Sequence, residues 1–157
     1  MVHDIASLKE LSLAEQLARV SRLWKMVADR ELAPLGLTHP RWTALWKLRR
    51  LGDNVSQKCL AEALEIELPS LMRTLNQLEE QSLITRYSCK SDKRARIVRL
   101  TEDGISLLKQ MEEKIVEVRS QLLNNISDEE IKMLSSILDR VSHSALEALS
   151  KKSETLE

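Results

Sequence analysis

Apolar residues recur at helical spacing along most of this chain. Leu13, Leu17, Val20, Trp24 and Val27 follow one another at steps of three and four, which predicts a helix over about 13–32. Pro34 and Gly36 in "APLGL" end it. Thr38 then stands where it can cap a second helix, with Pro40 in its first turn and Trp42, Leu45, Trp46 and Leu48 along it. "LGDNVS" reads as a turn, and Ser56 caps a short helix over 57–64 whose inner face is Leu60, Ala61 and Leu64. Pro69 opens a further helix running to about Gln81, with Leu68 where a polar cap is expected.

After Ser82 the period changes. "LITRY" and "ARIVRL" are short, β-branched and partly alternating, and "SCKSDKR" between them is rich in turn formers. Together they predict a two-stranded hairpin, Ile84–Tyr87 and Ala95–Leu100, with a basic tip. Thr101 caps a long helix of about 24 residues, marked by Ile105, Leu108, Met111, Ile115, Val118 and Leu122, with Glu102 and Asp103 favouring its positive end. "SDEE" at 127–130 is a capping box and starts a last helix through Ile131, Leu134, Leu138, Val141, Ala145 and Leu149. Residues 151–157 read as a frayed tail. The fold class is mainly α with a small β-hairpin: a winged helix-turn-helix over 38–100, flanked by N- and C-terminal dimerisation helices at 8–36 and 101–150. The 157 residues are expected to form a single domain.

Charge sharpens this picture. The chain is neutral, with 24 basic and 24 acidic side chains. Residues 41–100 nevertheless carry twelve basic and seven acidic groups, +5, and residues 101–157 carry seven and twelve, −5. Within "RYSCKSDKRARIVRLT" stand Arg86, Lys90, Lys93, Arg94, Arg96 and Arg99 against the single acid Asp92. Mixed charges at a hairpin tip would only keep an edge strand soluble. A strong excess of cations suits phosphates, whose neutralisation releases counterions. Arg86, Lys90, Lys93, Arg94 and Arg96 are therefore expected to face DNA.

On the helix that Pro69 opens, Leu68, Leu71, Leu75 and Leu78 share one side, while Ser70, Arg73, Thr74, Gln77 and Gln81 are assigned to the other. That polar face could simply be solvated. Beside a basic hairpin it reads as a helix for the major groove, where Arg pairs with guanine and Gln with adenine; Pro69, Ser70, Arg73 and Thr74 come first by position.

These residues resemble the MarR family of bacterial transcription regulators, and within it the SlyA-like branch. The resemblance runs through "IELPSLMRTLNQLEEQSLITR" (66–86), "SCKSDKRA", the D-x-R of Asp92-Lys93-Arg94, the following Leu100-Thr101, and "ISDEEI" (126–131); it covers about Leu13 to Leu149. It implies a homodimer whose terminal helices interlock, each subunit offering one winged helix to an inverted-repeat operator in double-stranded DNA. It places Pro69, Ser70 and Arg73 in the major groove, and Arg94 in the minor groove with Asp92 holding it by a salt bridge. Lys93 departs from the arginine often found there, which would weaken bidentate recognition but keep a phosphate contact. Members of the family often respond to small aromatic anions such as salicylate, and Trp24, His39, Trp42 and Trp46 lie on the helices that would wall such a pocket. Three Trp in a chain without Phe could equally be core filling.

Other chemistry finds little purchase. His3, His39 and His143 share no ligand spacing, and the acid pairs Glu79-Glu80 and Glu112-Glu113 point different ways along a helix. No nucleophile motif, phosphate-binding glycine loop or dinucleotide fingerprint appears, so neither an enzyme nor a cofactor or metal site is expected. Cys59 and Cys89 have no disulfide or C-x-x-C arrangement. Cys59 is expected to be a small buried side chain, whereas Cys89 beside Lys90 is a candidate redox thiol whose acidity the cations would raise. No signal peptide and no apolar run of about 18 residues is present, so a cytoplasmic, nucleoid-associated protein without a membrane partner is expected. A different reading remains open: a helical interaction module whose basic hairpin binds an acidic protein.

Overall fold

The computed structural model describes residues 12–52 and 54–153. Helix α1 spans Leu13–Leu32, with the Ser12 hydroxyl accepting the Glu15 N–H at 3.1 Å. A 3-10 turn, Ala33–Leu35, closes on Gly36 at φ +74°. Helix α2 covers His39–Leu51. Thr38 sits at its cap position, yet its hydroxyl accepts from Arg41 Nε at 3.0 Å instead of capping the backbone. Helix α3, Gln57–Leu64, is capped as expected, with the Ser56 hydroxyl accepting the Cys59 N–H. Helix α4, Leu68–Glu80, starts at Leu68, one residue before Pro69.

The sheet has three strands where the sequence predicted two. β2 (Ile84–Ser88) pairs antiparallel with β3 (Arg96–Leu100), and β1 (Val55–Ser56) adds to the other side of β3, giving the order β1-β3-β2. Val55 faces Val98, and Val98 faces Arg86. Two residues are too few to show a period, so β1 leaves no trace in the hydrophobic pattern.

Helix α5 spans Glu102–Leu122, 21 residues. Thr101 caps it through the Gly104 N–H at 3.0 Å, while its own hydroxyl donates to the Ser82 carbonyl at 2.7 Å. The base of the wing and the start of α5 are thus tied together. Helix α6 spans Asp128–Ser153, so residues 151–153 continue the helix instead of fraying; 154–157 lie outside the described residues, as do 8–11 of the expected N-terminal arm. Its capping box closes reciprocally: Ser127 Oγ accepts the Glu130 N–H at 3.2 Å, and Glu130 Oε2 accepts the Ser127 N–H at 2.8 Å.

The chain separates into two compact units, one ending at Leu122 and one beginning at Leu123. In the first, Leu45, Leu60, Leu71, Leu75 and Leu78 pack the helix-turn-helix against Ile84 and Val98 of the sheet and Leu108 and Met111 of α5. The first half of the predicted α1 stripe behaves differently. Leu13, Leu17 and Val20 are 64%, 39% and 58% exposed, and burial on α1 is confined to Ala28 and Leu32.

Candidate nucleic-acid interface

Helix α4 presents a polar strip to solvent. Pro69, Ser70, Arg73, Asn76 and Gln77 are exposed, and Leu71, Leu75 and Leu78 are buried on the far side. Arg73 has no ion-pair or hydrogen-bond partner among the described residues. Two members of the predicted pattern move. Thr74 is buried at 7% exposure, its hydroxyl directed to the Ser70 carbonyl, so it does not belong to the outer face. At 100° per residue it lies only about 40° from Leu78, inside the buried arc. Leu68, placed with the inner leucines, is 42% exposed because it opens the helix, before the core begins. Gln81, just past the helix, accepts from Arg41 Nη1 at 3.0 Å, which links the end of α4 to α2.

The wing tip is built by backbone bonds. The Cys89 N–H donates to the Ala95 carbonyl at 2.9 Å, and the Ala95 N–H to the Asp92 carbonyl at 3.0 Å. Asp92 Oδ1 accepts the Arg94 N–H at 3.0 Å. The salt bridge expected between Asp92 and the Arg94 guanidinium is absent among the described residues. Asp92 shapes the turn and leaves the Arg94 side chain exposed, a local acceptor role to which Asp is well suited. Lys90, Lys93, Arg94, Arg96 and Arg99 are all exposed.

Arg86 is the exception in the basic stretch. Its side chain is 8% exposed. Nη2 donates to Glu79 Oε2 at 2.6 Å and to Asn76 Oδ1 at 2.7 Å, Nε donates to Glu79 Oε2 at 3.2 Å, and Nη1 reaches Gln57 Oε1 at 3.4 Å. The hydrogen bonds from Arg86 hold the Glu79 carboxyl below its ordinary range. A guanidinium so engaged is not offered to phosphates, which corrects its assignment to the DNA-facing set. The sequence does carry a signal for this: Ile84 and Arg86 are two apart on one strand, and Ile84 is buried, so both turn to the same side. Nothing in the spacing pointed to Glu79, Asn76 or the buried Gln57 as its partners.

Trp24, His39, Trp42 and Trp46, proposed as pocket walls, do line one cavity of about 600 Å³, together with Lys47 and Thr74. Asp29 organises its edge. Its Oδ1 accepts from Trp42 Nε1 at 2.8 Å and lies 3.0 Å from His39 Nδ1, which donates to it in the Nδ1–H tautomer. The His39 and Trp42 rings meet edge to face at 5.0 Å.

Comparison with known proteins identifies the family of this fold. The sequence pattern described as MarR family matches residues 37–95. The solved structure of transcriptional regulator PA3341 is 33% identical, with 85% of this chain and 98% of that one covered and a TM-score of 0.79. The chain belongs to the MarR family. A mutant MarR from E. coli complexed with operator DNA shares the fold at 22% identity, covering 85% of this chain and 95% of that one with a TM-score of 0.77. So does CouR from Rhodococcus jostii RHA1 bound to p-coumaroyl-CoA, at 20% identity, covering 83% and 91% with a TM-score of 0.75.

In this MarR protein the two thiols differ from expectation. Cys59 is exposed, since it falls on the outer side of α3 beside the buried Leu60. Cys89 is half-buried, with Sγ 3.1 Å from Ser91 Oγ. Its acidity is raised first by that hydrogen bond and by backbone N–H groups at the tip, not by the neighbouring cations. No group of three His, Cys, Asp or Glu among the described residues could hold a metal. His3 lies outside the described residues. No helix of the described residues is long and apolar enough to cross a membrane.

Proposed function

We propose that this chain is a DNA-binding transcriptional regulator that occupies inverted-repeat promoter sites as a homodimer, acting by occupancy and not by catalysis, in the cytoplasm. The observation that carries the reading is the pairing of two exposed surfaces in one unit. One is an α4 face of Pro69, Ser70, Arg73 and Gln77; the other is a wing whose exposed cations include Lys90, Lys93, Arg94 and Arg96. Short polar side chains with a single free Arg suit base edges in the major groove, and cations at a narrow tip suit phosphates or the minor groove. The operator-bound relative supports the same use of the fold.

The homodimer is supported by apolar surface with no cover. Leu13, Val20, Leu23 and Met26 are each between 48% and 65% exposed on α1, and Met133, Leu134, Ile137 and Val141 between 45% and 66% on α6. Such contiguous apolar stripes are rare on monomers. A twofold dimer also matches a palindrome.

Selection of bound fragments from random DNA by the purified protein, at stated salt, tests both points. A palindromic consensus is the expected result; a consensus without dyad symmetry, or no enrichment, would refute the proposal. If neither Arg73→Ala nor Arg94→Ala changes DNA affinity, a basic hairpin for an acidic protein partner becomes the better reading. For the cavity, the aromatic walls and Lys47 support a small aromatic anion such as salicylate as effector. Saturating salicylate should change Trp fluorescence and operator affinity together, and no change in either would reject it.

A further inference from the structure

The basic stretch divides into exposed cations and one that is consumed inside the protein. Arg86 lies on β2, yet every bond its guanidinium makes leaves the sheet: two acceptors, Glu79 and Asn76, are on α4, and the third, Gln57, opens α3. The three acceptors spread around one planar fork, the geometry in which Arg differs from Lys. On the same helix, Asn76 and Gln77 adjoin, so the side chain that Arg86 grips is next to one that faces outward. On the sheet, Arg86 pairs across from Val98, two residues beyond the exposed Arg96 of the wing. The turn that leads from α4 into β2 adds backbone bonds at the far end of the strand from the tip: the Ser82 N–H to the Glu79 carbonyl at 2.9 Å and the Leu83 N–H to the Leu78 carbonyl at 3.0 Å.

We propose that Arg86 is a positioning residue that fixes the wing relative to the recognition helix, so that a single half-site can engage both at once. This rests on the DNA-binding reading above. A guanidinium held in three directions resists both sliding and rocking of the hairpin on α4. A point charge at the same place would satisfy Glu79 and leave Asn76 and Gln57 without their donor. The residue therefore contributes to DNA affinity without touching DNA, by sparing the complex the cost of ordering the wing on binding.

The test uses the full-length protein and its selected operator, with Arg86→Lys, the near-isosteric Glu79→Gln, and Arg94→Ala as a surface comparison. Operator affinity is measured across a salt series, hydrogen exchange of the β2 and β3 amides is followed without DNA, and thermal unfolding is recorded. Arg86→Lys and Glu79→Gln should each weaken binding by about tenfold, the scale of one lost charged hydrogen bond, with the salt slope unchanged. Wing amides should exchange faster while those of α1 and α5 do not. A salt slope reduced by about 0.9, the signature of one lost phosphate contact, would make Arg86 a DNA ligand and overturn the proposal. Wild-type affinity in both variants, full retention by Arg86→Lys, or faster exchange spread evenly over α1 and α5 would overturn it as well. If the wild-type chain binds no DNA at any salt, the DNA reading fails. The helix–wing coupling is then decided by exchange alone, and unaltered wing exchange in Glu79→Gln rejects it.

Discussion

Replacing Gly104 by Ala sets helix propensity against packing, with opposite signs. Gly104 lies in the first turn of α5, where Ala is favoured over Gly by about 1 kcal/mol. A Cβ built there would lie 2.1 Å from the Leu83 carbonyl oxygen, 3.1 Å from its carbon and 3.4 Å from Leu100 Cδ2. The obstacle is backbone, so relief requires the helix start and the wing base to part by about 1 Å to reach an ordinary carbon–oxygen contact. That movement strains two bonds, the Thr101 N–H to Leu83 at 3.1 Å and the Thr101 hydroxyl to Ser82 at 2.7 Å. Overpacking costs about 1–3 kcal/mol and the two bonds about 1 kcal/mol each. Less the propensity gain, the expected net loss is about 2–4 kcal/mol. For a chain of this size that is a fall in Tm of roughly 5–15 °C. The assay is thermal and urea unfolding of Gly104→Ala beside wild type at one fixed protein concentration, because dimer stability depends on concentration. A variant that unfolds at or above the wild-type temperature would show that the close approach does not constrain α5 and would refute the reasoning.

Three further outcomes are expected. Arg73→Ala should cost about 1–3 kcal/mol at the selected operator and relax base preference at one position in each half-site; an equal loss on all sequences, measured by competition binding, would instead assign Arg73 to phosphate. Because the Glu79 carboxyl is held below its ordinary value by Arg86, its contribution to stability is present above about pH 4.3 and is lost as pH falls through the lower folded-state value. The stability difference between wild type and Glu79→Gln should therefore shrink on acidification, and a difference that grows below pH 4 would contradict the bond. Asp29→Ala leaves Trp42 Nε1 and the His39 ring without their shared acceptor and should lower stability by about 1–3 kcal/mol and shift the Trp emission; an unchanged spectrum would show that Asp29 does not organise the cavity edge.

What the sequence determined by itself is mostly local. Helix spacing, proline placement and the Ser56, Thr101 and Ser127 caps depend on neighbours within four residues, so they can be read along the chain and recur in the structure. The excess of cations at the wing is likewise a property of consecutive residues. The tertiary structure decided which side chains remain available. Thr74 and Arg86 have the chemistry of DNA contacts, but the buried arc of α4 takes one and three acceptors from α3 and α4 take the other. Cys59 is exposed because the α3 core needs only Leu60 and Ala61 at that level. The β1 strand exists only because β3 lies beside it. Trp24, His39, Trp42 and Trp46 converge on one cavity through the packing of α1 and α2, with Asp29 as the link that no spacing announced. Burial and pairing across the fold are sums over residues distant in sequence, and a side chain's own character does not carry them.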